Sequence, residues 1–209
     1  LLALTGVYNT GSSYESGPQY DLWKPDTYIR LLDLTTDNGY EKDNMVGDLN
    51  NGNRTATYSP VQILWQTSYQ KIARCNNFLE NINAVPMDTV TKAAMKAEIR
   101  TIRAYDYFYL AFFWGDIPLV TKVLSINEAN TISRTPRKDV ISFVLSELQG
   151  SAGDLPATYP AAQKGRITQA AALAILGRVQ MSEKLWGDAV NTYKQIMDMN
   201  LYSIDPQYK

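Results

Sequence analysis

Residues 97–120, AEIRTIRAYDYFYLAFFWGDIPLV, constrain the fold more than any other stretch of this 209-residue chain. Ile99, Ile102, Tyr105, Tyr109 and Phe112 recur every three or four residues and so share one helix face. From Tyr107 onward Phe108, Leu110, Phe113 and Trp114 make the helix apolar almost all round. Such a helix needs neighbours on more than one side. Arg103 and Asp106 lie three apart, the spacing of a pair across one turn. Gly115 suits the residue just past a helix end, and Pro118 cannot continue the helix. The stretch predicts a core helix that ends abruptly inside a larger helical stack.

Other helices follow from periodicity and end signals. Ser59-Pro60 opens one whose buried face is expected to carry Val61, Leu64, Trp65, Ile72, Cys75, Leu79 and Ile82. Pro86 ends it, and Asp88 caps the central helix. Thr121–Arg134 reads as an extended connection. Thr135-Pro136 starts a helix through Val140, Val144 and Leu148, which stops near Gly150. Thr168 caps a helix over Gln169–Lys184, and Trp186–Asn200 forms its partner. Met181, Leu185, Met197 and Met199 fit helix packing. Towards the N-terminus, Leu1–Tyr8 reads as a helix tail and Leu22–Leu34 as a short helix. Thr35–Tyr58 is a polar stretch punctuated by Asn, Asp and Gly. The fold class is all-α: stacked helix pairs joined by long loops.

The last two helices also carry a repeat signature. Tetratricopeptide pairs place Leu-Gly in the first helix, then Ala and an aromatic four apart in the second. Leu176-Gly177, Ala189 and Tyr193 stand at those offsets. Small residues let the helices approach closely while Tyr193 fills the groove. Residues 88–150 and 166–200 are read as two such tetratricopeptide-like repeats.

Several function classes are excluded from the residues alone. With no histidine, Ser-His-Asp and Cys-His catalysis and His-based metal sites are out. A net charge of −1 with interspersed signs argues against a nucleic-acid partner. No apolar run is long enough to span a bilayer as a helix. No Gly-rich loop leads into a helix N-terminus as phosphate binding requires. The acids of the central stretch read as structural: Asp116 as a turn former, Glu98 and Asp106 as ion-pair partners of Arg100 and Arg103. Cys75 is the one cysteine, so no intramolecular disulfide forms and it reads as a small buried apolar residue. No cofactor is expected. Asp43–Asn53 is acidic without the calcium-hand spacing, and a weak calcium site there is the alternative to a solvated loop.

The central stretch, continued to Thr121, resembles the hallmark segment of the SusD/RagB family, A-E-x-R-x-x-R-A-x-x-Y-F-x-L-x-x-x-[FW]-G-D-[IV]-P-L-V. Ala97, Glu98, Arg100, Arg103, Ala104, Tyr107, Phe108, Leu110, Trp114, Gly115, Asp116, Pro118, Leu119 and Val120 fall in place. A second family segment is matched at Gly165, Arg166, Thr168, Ala171, Ala172, Leu176, Gly177 and Arg178, and Asn76-Asn77 sits where the family carries an Asn. The resemblance covers Tyr8 to Ile204. It implies a lipid-anchored protein of the Gram-negative outer-membrane surface that captures oligosaccharides, in some cases peptides, without cleaving them. It also implies a SusC-like TonB-dependent transporter as partner, contacted by the helices of Gln169–Asn200. The signal sequence and lipid-bearing cysteine of such proteins lie upstream of a segment like this one. Members run to about twice this length or more, so residues 1–209 read as a single N-terminal helical region, with the C-terminal part of the family fold absent.

Sugars are held by aromatic rings against their C–H faces and by Asn, Asp, Gln and Arg on their hydroxyls. The polar stretch supplies this mix in Tyr40, Asn44, Asn50, Asn53, Arg54 and Tyr58. In the family, contacts from this half of the chain come from loops preceding the Trp65-type helix, so these six are the candidate ligand residues. The alternatives are a tetratricopeptide scaffold that binds only protein, and an α-helical carbohydrate-active enzyme.

Overall fold

The computed structural model describes residues 2–8, 36–37 and 59–207. The chain divides into two compact units, Leu1–Arg74 and Cys75–Lys209. Helices are numbered over the described residues: α1 (Leu2–Tyr8), α2 (Ser59–Asn81), α3 (Thr89–Trp114), α4 (Ile126–Thr131), α5 (Arg137–Ala152), α6 (Gln169–Ser182) and α7 (Trp186–Asp198). Among these residues no strand forms; Ile117 and Thr135 make one isolated antiparallel bridge. The all-α expectation holds. The Leu22–Leu34 helix lies outside the described residues.

In the first unit, Leu4 and Val7 of α1 are buried. Arg74 donates from Nη1 to the Gly6 carbonyl at 3.4 Å. On α2, Trp65 and Tyr69 meet as a tilted aromatic pair, their centroids 4.9 Å apart. Of the face expected to be buried, Leu64, Ile72, Cys75 and Ile82 are so, whereas Val61, Trp65 and Leu79 are half-buried.

In the second unit, α3 packs on α5, α5 on α6, and α6 on α7, so each helix lies against the one before it in a continuous stack. The core runs along α3 and α5: Ile99, Ile102, Ala104, Ala111, Val140, Val144 and Leu148 are each fully buried. Helix ends follow local chemistry. The Asp88 side chain accepts from Thr91 N, so one of the first-turn amides of α3 is satisfied. Thr168 does the same for Ala171 N on α6. Gly115 ends α3 at φ 72°, a region that costs glycine little, and its amide reaches back to Ala111 O. Pro136 at the cap of α5 has no side-chain oxygen, and Asp116 substitutes from the end of α3, its Oδ1 accepting from Arg137 N at 2.8 Å. The turn role read for Asp116 is thus a cap on the next helix.

Three expectations are corrected. The connection after Val120 is not extended throughout: α4 forms over Ile126–Thr131, nucleated by a capping box in which Ser125 and Glu128 satisfy each other's backbone. Phe112, placed on the buried face by its spacing, is 55% exposed and its neighbour Phe113 41%. Met197 is 72% exposed and Met181 and Leu185 are also at the surface, so the methionine stripe is not core.

Candidate functional site

The six candidate ligand residues, Tyr40, Asn44, Asn50, Asn53, Arg54 and Tyr58, lie outside the described residues, as does the Asp43–Asn53 stretch weighed as a calcium site. What the structure does describe is the polar framework that follows in the chain, built on the hallmark helix α3.

Arg103 is its hub. Two turns of α3 carry Arg100 and Arg103 on the face toward α5, where Glu147 is the one carboxylate between them. Arg100 Nε donates to Glu147 Oε1 at 2.9 Å, and Arg103 donates from Nε and Nη2 to Oε2. Arg103 also donates from Nη1 to Asn76 Oδ1 at 2.7 Å and lies over the Phe143 ring, 5.3 Å from its centroid. Sequence spacing had offered Asp106 as its partner; the ion pair instead crosses 44 residues of chain to α5. A guanidinium distributes planar donors in several directions at once, which suits a buried junction of this kind.

The junction fixes the strap that leaves α3. Tyr107 Oη donates to Val120 O at 2.8 Å and accepts from Val120 N at 2.7 Å, so one hydroxyl closes both backbone groups of that residue. Asn76 Nδ2 donates to Val120 O and Lys122 O, and Glu80 Oε1 accepts from Val123 N. Burial pushes the Tyr107 phenol well above its ordinary range, so it stays protonated and available as donor. Of the Asn pair noted in the sequence, Asn76 is the buried one and carries this work; Asn77 is exposed. The strap ends in the α4 clasp, where Lys122 Nζ donates to Glu128 Oε1.

A second buried carboxylate, Glu98, anchors the loop before α6. Arg166 pairs with it, Tyr159 Oη donates to it at 3.0 Å, and the guanidinium stacks over the Tyr159 ring at 4.3 Å. Glu98 and Glu147 are thus each buried and neutralised by arginine. Both are committed to arginine pairs, whereas a glycosidase acid or base must meet its substrate. The described residues contain no group of three His, Cys, Asp or Glu placed to hold a metal ion. No described helix is long and apolar enough to cross a membrane.

Among the described residues, apolar side chains are exposed in clusters on α3 and α7. One is the tip of α3, where Phe112 and Phe113 meet edge to face and Phe113 stacks on Tyr109. The other is the outer side of α7: Trp186 is 58% exposed and Val190 and Met197 are at the surface, while Ala189 and Thr192 face inward.

The chain is similar to several known proteins. The SusD-like family described as "starch-binding associating with outer membrane" matches residues 10–181. The chain is 28% identical to SusD-like protein P25 of Formosa agariphila, over 85% of its own length and 36% of that protein's. Among solved structures, a SusD-like carbohydrate-binding protein of Bacteroides fragilis superposes with TM-score 0.87 at 33% identity, covering 99% of this chain and 41% of that one. A laminarin-binding SusD-like protein superposes with TM-score 0.79 at 25% identity, covering 93% and 42%. The chain therefore spans less than half the length of these proteins.

Proposed function

The chain belongs to the SusD-like family, and on that premise we propose that it is the N-terminal helical region of a non-catalytic surface receptor. The receptor captures oligosaccharide and passes it to a TonB-dependent transporter of the outer membrane, to which a lipid anchor holds it close. The observation that carries this reading is the family match over residues 10–181, together with the likeness to a carbohydrate-binding protein along 99% of the chain. The chemistry of α3 is in keeping with it. The hallmark acids are committed to arginines and to a helix cap, which makes them scaffold rather than proton donors.

Within this proposal the ligand contacts come from Tyr40, Asn44, Asn50, Asn53, Arg54 and Tyr58, an aromatic and amide-rich set in the stretch that precedes α2. Residues 88–150 and 166–200 act as tetratricopeptide-like pairs. The outer face of α7, with exposed Trp186, Val190 and Met197, faces the transporter; an apolar helix face of this sort is a protein-docking surface. Titrating a panel of oligosaccharides, laminarin fragments among them, against the full-length protein and its Tyr58→Ala and Arg54→Ala variants tests the ligand site. A loss of affinity of tenfold or more is expected, at about 1.4 kcal/mol per tenfold step. Unchanged affinity would remove both residues from the site.

A further inference from the structure

We draw no further inference here: the strongest candidate, the exposed aromatic tip of α3 at Phe112 and Phe113, is an apolar surface for which nothing in the structure shows what covers it.

Discussion

The α3–α5 and α6–α7 interfaces solve the same packing problem by opposite means. Between α3 and α5 charge is added to the apolar core: Glu147 sits between Arg100 and Arg103, and Arg103 reaches on to Asn76. Between α6 and α7 the helices are joined through absence of a side chain. A Cβ built on Gly177 would stand 2.6 Å from Tyr193 Cζ, closer than atoms approach, so the glycine is what admits the tyrosine ring. The first interface gains direction, because a guanidinium and a carboxylate bond only in particular orientations. The second gains close contact, the Tyr193 ring lying where a side chain on residue 177 would stand. The difference follows from what each must position. The charged junction also holds a strap with its own backbone groups to satisfy, whereas the glycine junction has only two helices to bring together.

The two interfaces therefore fail differently. Glu147→Ala should have the largest effect. It leaves Arg103, whose side chain is 7% exposed, as a buried uncompensated charge. A loss of about 3–5 kcal/mol in urea unfolding of the full-length protein is expected. Replacing Glu147 and Arg103 together by methionine should cost less than the single change, since no lone charge is then buried. A double variant no more stable than the single one would mean that the junction matters for something other than charge pairing.

Gly177→Val comes next, at about 1–3 kcal/mol from overpacking against Tyr193. In combination with Tyr193→Ala the two costs should not add, with a coupling of about 0.5–3 kcal/mol. Additive costs would show that the ring does not occupy the space the glycine leaves.

The smallest effect is expected at the exposed Lys122–Glu128 pair, a charge contact without burial. The hydrogen bond from Lys122, helped by the Ser125 amide and hydroxyl, holds the Glu128 carboxyl down at about 2, against an ordinary value of 4.5. A carboxylate depressed in the folded state stabilises above its unfolded value and loses that contribution as pH falls through the folded one. The clasp should thus be intact above about pH 4.5 and loosen towards pH 2. Lys122→Met should raise the Glu128 midpoint in a carboxyl NMR titration while leaving overall unfolding almost unchanged, as exposed ion pairs contribute little. An unmoved midpoint would remove Lys122 as the cause.

How much of this was legible in the sequence depended on the range of each interaction. Local signals read true: the Asp88 and Thr168 caps, the Gly115 stop, and the fit of Gly177 to Tyr193 at repeat spacing. The Ser125–Glu128 capping box was equally local, S-x-x-E in plain view, yet the stretch around it reads as extended because only six residues of helix follow. Partner choice over long range was not legible. Spacing offered Asp106 to Arg103, but the carboxylate Arg103 meets is Glu147, brought in from α5, 44 residues along the chain. Apolar spacing equally could not tell buried Tyr109 from exposed Phe112, because it reports a shared helix face and not what packs on each position. The candidate ligand residues rest on side-chain chemistry and family resemblance, since Thr35–Tyr58 has no periodicity from which a position could be read.

The function proposed is capture without turnover. Equilibrium titration of the full-length protein against a glycan panel, with reducing ends assayed in the same samples over a day, tests it most directly. Saturable binding to at least one oligosaccharide and no new reducing ends are expected. Glycan shortened over time, or no binding across the panel alongside tight binding to a transporter, would contradict it.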